Sequence, residues 1–273
     1  MRIIRSKIDH NISLQKVDEV GDKYYKNLSI YTWIERILFY LCASLSLIIY
    51  YSPPKFTPYH DCILSFYLVC SLAIFAISHL YKLYLFPRAE EKRSKNFYGT
   101  AYNVTLGQEN TNLYYNNNFK NSQLKLALQL MENAFFTKSI TSKMVIFQRL
   151  ITFTYFTIWI LMLSYRDIPI DFMIIFSQIL FCEFIFSKTL RLELLNNQVD
   201  KIYDELLVFI CNNNKIDNYF SAKIANFITH YEVIKAIAAI SLSTFIFNYK
   251  CHDLKNDWIK ICGKIEKYYP SYI

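Results

Sequence analysis

The chain has 273 residues, 53% of them hydrophobic and 18% aromatic, with four glycines, six prolines and a formal net charge of +8. Loops that hold phosphate on backbone N–H groups need several glycines close together; Gly21, Gly99, Gly107 and Gly263 stand far apart, which excludes a Walker loop, a dinucleotide fingerprint and a kinase glycine loop. Mean hydropathy is only +0.15, so apolar and charged residues are segregated along the chain, as in a membrane protein with extramembrane parts.

Residues 13–31 read as an amphipathic helix, with Ser13 as cap and Leu14, Val17, Gly21, Tyr24 and Leu28 on one face. Lys16, Lys23 and Lys26 then face headgroups or solvent, and the helix either lies on the membrane or packs on the chain's own cytoplasmic part. Uncharged apolar runs follow at Ile37–Tyr51 and Cys62–Tyr81, with two more at Leu150–Tyr165 and Phe172–Ser187. A bilayer core takes roughly 20 helical residues, a length these runs reach once flanks such as Trp33 and Ile34, or Val145 to Phe147, are included. Trp33, Tyr50, Tyr51, Tyr81 and Tyr165 stand where interfacial anchors belong, and Pro53, Pro54 and Pro169 where the hairpins turn.

The short connections 52–61 and 166–171 carry one basic residue each, Lys55 and Arg166, whereas the long segment between the second and third spans is rich in Lys and Arg. By the positive-inside rule the N-terminus, that segment and the C-terminus are cytoplasmic. The positive charge thus lies beside the membrane, which argues for lipid and against a DNA or RNA duplex as its partner.

The cytoplasmic segment opens with a basic turn, Pro87-Arg88-Ala89-Glu90-Glu91-Lys92-Arg93, and continues as an irregular polar stretch through Asn116-Asn117-Asn118. Leu124, Ala127, Leu128, Met131 and Phe135 then recur at helical spacing and lead into the third span. After the fourth span Leu192, Leu195, Val199, Ile202, Leu206 and Phe209 alternate three and four apart. That seam suits either an ordinary helix packed on the chain's own helices or a stalk that joins protomers. Ala236–Asn248 is apolar but short, and as a fifth span it would send Lys250, Lys255, Lys260, Lys264 and Lys267 outside, so it is expected to be a buried cytoplasmic helix. Leu254, Trp258, Ile261 and Ile265 mark a last amphipathic helix.

Catalytic chemistry has little support. The five histidines are spread singly, the seven cysteines form no C-x-x-C, and no G-x-S-x-G occurs, so no catalytic residue, metal site or cofactor is expected and the cysteines read as small hydrophobes in a reduced protein. Within the fourth span Glu183 and Gln178 are the polar residues that could line a pore or proton path. Glu183 lies only about 7 Å from the end of the span, close enough to pair with Arg36, Arg149 or Lys188 instead. The best ligand-binding candidate is the basic and aromatic run 88–115. Arg88, Lys92, Arg93 and Lys95 suit phosphates, Tyr98, Tyr102, Tyr114 and Tyr115 suit stacking on bases, and Asn103 closes the run. The same residues also satisfy what topology and anionic lipid require beside a span.

The expected architecture is all-α: an integral membrane protein with four transmembrane helices in two hairpins and a helical cytoplasmic domain. Residues 1–33 form the N-terminal helix, 34–81 the first hairpin, 82–148 the insert, 149–187 the second hairpin and 188–273 the helical C-terminal region. This layout, with Ala89, Phe97, Asn103, the Tyr114-Tyr115 pair, Asn133 and Phe136 in the insert, resembles the four-transmembrane pore-forming effectors of bacterial antiphage defence systems, those linked to cyclic-nucleotide synthases (CBASS-like). The resemblance implies a multi-pass protein of the bacterial inner membrane that waits for a cytoplasmic signal, a cyclic oligonucleotide or a protein activator. It then assembles as a homo-oligomer or opens, and permeabilises the membrane. The competing readings are a non-pore membrane protein that neutralises a partner, and a small transporter or membrane enzyme, which needs polar residues converging at the midplane.

Overall fold

The computed structural model describes residues 17–51, 57–109, 111–112, 114–115, 119–164, 183–213 and 215–272. Gln178, the Glu183 side chain, Ser13, Leu14, the first hairpin's turn and most of the expected fourth span lie outside the described residues. The described residues are predominantly helical, with a two-residue antiparallel bridge, β1 (Val17–Asp18) with β2 (Thr111–Asn112), in which Val17 faces Asn112. The first helix starts at Glu19 rather than near Ser13, because Asp18 turns its carboxylate onto the Gly21 N–H at 3.0 Å and caps it. Val17, expected on the helix, is therefore strand, and Val20 and Leu28 are the buried positions of its first turns.

A π-helical turn, Gly21–Tyr25, leads into α1 (Lys26–Tyr51). α2 (Thr57–Leu80) runs through a second π-helical turn, Tyr81–Leu85, straight into α3 (Phe86–Tyr102). α4 (Ser122–Ser164) is a single helix of 43 residues, about 65 Å long at 1.5 Å per residue. Three helices, Gly21–Ile49, Tyr59–Tyr102 and Ser122–Ser164, are long and apolar enough to cross a membrane. Their apolar parts turn outward: Leu72, Phe75 and Phe153 are 68%, 61% and 70% exposed. A water-soluble fold would hide a contiguous surface of that kind. α1 and α2 touch each other through Cys42, Leu45, Tyr67 and Cys70.

The other end of α4 does the opposite. Leu124, Leu126, Ala127, Leu128, Leu130 and Met131 are buried all round the helix, so it forms the centre of an extramembrane bundle. A third π-helical turn, Glu183–Ser187, opens α5 (Lys188–Asn212), which runs antiparallel to α4. Thr152 meets Thr189 at 2.7 Å, Arg149 grips Glu193, Thr141 donates to Asn196 at 3.1 Å and Lys138 reaches Asp200 and Asp204. The seam residues Leu195, Val199, Ile202, Leu206 and Phe209 are buried in the protomer's own core with residues of α4 and α6 (Asn218–Ala238), and Leu192 is buried within the protomer as well. They are therefore not a surface on which protomers join, which corrects the oligomer-seam reading.

Ala236–Asn248 is not one helix. α6 stops at Ala238, Ala239 takes a left-handed φ of 45°, and α7 (Thr244–Glu266) starts afresh with the Ser243 hydroxyl accepting from Ile246 N–H. Arg191 donates to the Ala238 carbonyl at 2.8 Å, and Ala239 packs with Leu28, Tyr81, Phe86 and Ala89, which anchors this corner beside the membrane helices. The end of α3 is fixed in a similar way. Val104 folds back to donate to the Gly99 carbonyl, and its own carbonyl oxygen lies 2.7 Å from where a Cβ on residue 99 would sit, so only glycine fits.

Replacing Leu206, fully buried between helices, by alanine is expected to cost about 2–5 kcal/mol in chemical denaturation of the solubilised protein, with no change in particle size by chromatography. A smaller particle at unchanged stability would restore the protomer-joining seam.

Candidate functional site

One turn apart on α3, Glu90 and Arg93 face the same side of the helix, into the space between the start of the first helix and the C-terminal helices. Arg93 makes a bidentate pair with Asp18, Nη1 to Oδ1 at 2.9 Å and Nη2 to Oδ2 at 3.1 Å. Its guanidinium plane also lies 4.3 Å from the Tyr114 ring centre and 5.2 Å from that of Tyr25. Burial works against this charge, but Tyr114 and Asp18 outweigh it and hold the guanidinium above its ordinary range.

Glu90 accepts from the Tyr25 hydroxyl at 2.6 Å and pairs with the Lys235 ammonium at 2.5 Å. Lys235 also lies 3.5 Å from Glu232 and 5.1 Å above the Tyr231 ring. Burial disfavours its charge, yet Glu90, Tyr231 and Glu232 together raise its pKa well above the usual lysine value. The Glu232 carboxyl is pushed up by burial against the pull of Lys235. Burial pushes the Tyr231 hydroxyl up to about 12, and it stays a neutral partner of Thr137, 2.9 Å away.

These groups wall a cavity of about 610 Å3. Its aromatic lining comes from Tyr25, Tyr114, Tyr115, Phe136, Tyr231, Phe247 and Trp258, and its exposed cations are Lys26 and Lys255. Asn133 donates to the Tyr115 hydroxyl at 3.1 Å. The Trp258 indole, 2% exposed, has no hydrogen-bond partner for its N–H among the described residues, so one wall of the cavity carries an unused donor. Sites of this size, mostly apolar with a few convergent polar groups, are the usual form of a small-molecule site.

The basic and aromatic run does not form one phosphate site. Of its nine candidates only Arg93, Tyr114 and Tyr115 line this cavity. Lys92, Lys95 and Asn103 line a separate hollow of about 280 Å3 at the end of α3, where Asn103 closes the helix with a φ of 54°. Arg88 is exposed with its guanidinium 5.9 Å over Tyr24, Tyr98 packs on the bundle core, and Tyr102 accepts from Gln123 at 3.2 Å. The cations are also engaged: Lys92 with Glu109 at 2.9 Å, Lys95 with Glu91 at 2.6 Å and Arg93 with Asp18. A helix advances about 100° per residue, so neighbours in a charged run are dealt to different faces. Arg149, a candidate partner of Glu183, is held by Glu193 instead.

The residues that sequence reasoning missed are Asp18, Glu90, Lys235, Tyr231 and Trp258 as parts of one site. The signal available was the i, i+3 opposition of Glu90 and Arg93 on a helix leaving a span. Among the described residues no group of three or more metal-ligating side chains occurs, and Cys62, Cys70, Cys211, Cys251 and Cys262 are free thiols.

Replacing Lys235 by methionine leaves Glu90 buried without its counter-charge and is expected to lower stability by about 3–5 kcal/mol. Adding Glu90→Gln in the same chain should recover most of that loss in a denaturation cycle. Glu109 gives a pH test. Lys92, with Tyr24 donating at 2.9 Å, holds its carboxyl at about 2. A depressed carboxylate pKa contributes stability above the unfolded value and loses it as pH falls through the folded one. Thermal stability should thus fall between about pH 4.5 and pH 2, and Glu109→Gln should flatten that part of the profile.

Comparison with family models, with characterised proteins and with solved structures returns no match for this chain, so the functional reading rests on its own residues and geometry.

Proposed function

We propose that the chain is a membrane effector of antiphage defence: a cytoplasmic signal is received in the cavity, and the protein responds by oligomerising or opening to permeabilise or depolarise the bacterial inner membrane. The observation that carries this reading is continuity of the cavity wall with the membrane helices. Tyr25, Lys26 and Ser29 stand on the helix that becomes the first span, Glu90 and Arg93 on the one that continues the second, and Glu132 to Ile140 on α4, which enters the membrane as the third. A ligand that moves these walls apart acts on three membrane helices at once, without a loop to absorb the displacement.

In this reading Phe172–Ser187 is the fourth span and both termini lie in the cytoplasm. Four helices of one protomer pack as a solid bundle, so a conducting path needs several protomers. With the α5 seam spent inside the protomer, contact between protomers falls to the outward apolar faces of the membrane helices. The aromatic lining suits a nucleobase and Lys26 and Lys255 suit phosphate, in keeping with a cyclic oligonucleotide as signal. The engagement of Arg93, Lys92 and Lys95 by carboxylates favours a protein activator instead, since phosphate has to displace a carboxylate from each.

The test is membrane potential, read with a voltage-sensitive dye in bacteria expressing the chain with and without its neighbouring genes and phage infection. Triggered depolarisation is expected, and Ser241→Trp, which fills the cavity from the corner after α6, should reduce it about tenfold, a loss of about 1.4 kcal/mol in signal affinity. An unchanged potential through infection, with the protein demonstrably in the membrane, would move the assignment to a partner-binding protein without a pore.

A further inference from the structure

The two C-terminal helices run between the membrane and the far end of the bundle, and the contacts at each end fix their direction. At the far end Tyr269, just past α7, donates to the Ile210 carbonyl near the end of α5 at 2.8 Å, and the Tyr272 carbonyl accepts from Lys120 N–H just before α4. At the other end Ala239 packs with Leu28 and with Tyr81, the residue that closes the second apolar run. α6 therefore ends, and α7 begins, at the level where the first two membrane helices leave the bilayer.

The side of α7 that faces the bundle is given by Phe247, its ring centre 6.2 Å from that of Phe136, and by the buried Leu254, Trp258 and Ile265. At about 100° per residue Phe245 and Tyr249 fall on the opposite side, and each is 81% exposed, more than Phe153 on the membrane part of α4. Further along, the same outward side carries His252, Asn256 and Lys260, all exposed. α6 changes in the same sense: its exposed positions include Asn226, Thr229 and His230 in the middle, and Val233, Ala236 and Ile237 in the last two turns. Val233, Ile237, Phe245 and Tyr249 thus gather at the membrane end of two antiparallel helices.

Tyrosine is enriched in the aromatic belt at the membrane surface, and helices that lie in that surface bury phenylalanine there. The two rings are one turn apart, about 6 Å along the axis, and the headgroup zone of a leaflet is roughly 5–7 Å thick, so both fit within it. A partner helix laid along α7 needs apolar anchors over several turns; on this side they stop after the second.

We propose that the corner between α6 and α7 is seated in the headgroup zone of the bilayer, with Phe245 and Tyr249 as its anchors and Val233 and Ile237 at the end of α6 beside the same surface. The contact lies on the membrane and adds no span. It rests on α1 and α2 crossing the bilayer, and not on permeabilisation or on the identity of a signal. Ser241, Leu242, Thr244 and Phe247 of this corner line the cavity, so the seating ties that wall to lipid.

The test places the photo-crosslinking residue p-benzoylphenylalanine at Phe245 or at Tyr249 of the full-length chain, in vesicles of phosphatidylethanolamine and phosphatidylglycerol, and reads adducts by mass spectrometry of the peptides after illumination. Phe75, in the apolar part of α2, and Tyr219, exposed at the far end of α6, are the comparison sites. All four side chains are exposed, so the replacements leave the core intact. Phospholipid adducts are expected at Phe245 and Tyr249 as at Phe75, with at least about tenfold the yield at Tyr219. Yields at Phe245 and Tyr249 no higher than at Tyr219 overturn the proposal. Cross-links to a second copy of the chain in place of lipid overturn it in favour of a contact between protomers, and a lack of lipid adducts at Phe75 overturns the membrane reading beneath it.

Discussion

Two opposite charges one helical turn apart on α3, Glu90 and Arg93, have to be satisfied in a place water scarcely reaches, and neither can be satisfied by its own helix. Arg93 finds Asp18, just before the first membrane helix, and Glu90 finds Lys235, near the end of α6. A buried ion pair adds little net stability over a well-packed apolar contact, but breaking one is costly. Its effect here is one of position. The segment leading into the first span, the helix leaving the second and the C-terminal helices are held in a single register, and the cavity exists because these three walls are kept apart and in place.

The same chain solves two solvent problems along single helices. α4 is buried all round near Leu124–Met131 and turns apolar side chains outward near Phe153. The change of rule along one continuous helix is what joins the bundle mechanically to the membrane. The π-helical turns at Gly21–Tyr25, Tyr81–Leu85 and Glu183–Ser187 sit where the other helices make the same passage. Each inserts an extra residue and re-aims the side chains that follow, which lets a helix face lipid on one side of the turn and protein on the other.

What the sequence disclosed follows from the range of the forces involved. Long uncharged runs identify membrane helices because the requirement is local in sequence, and three of them are recovered at the expected positions. The stripe from Leu192 to Phe209 was legible as a buried face, but periodicity cannot say whether the same chain or a copy covers it; from Leu195 on, α4 and α6 do. The corner at Ala239 was not legible, since it has neither glycine nor proline. A left-handed alanine costs about 1–2 kcal/mol, offset here by the Arg191 bond to Ala238 and by packing against Leu28 and Tyr81. For the site, Arg93, Tyr114 and Tyr115 stood out by residue type, whereas Asp18 lies 75 residues from Arg93. Its partnership depends on the bundle, not on any local pattern.

The central claim is that the α3 ion pairs couple the entry of the first membrane helix to the C-terminal helices. Amide hydrogen exchange of the full-length protein in lipid nanodiscs, comparing wild type with Glu90→Gln, measures this directly. Coupling predicts that residues 19–29 and 231–239 lose protection together. Faster exchange confined to α3, with both distant segments unchanged, would contradict it.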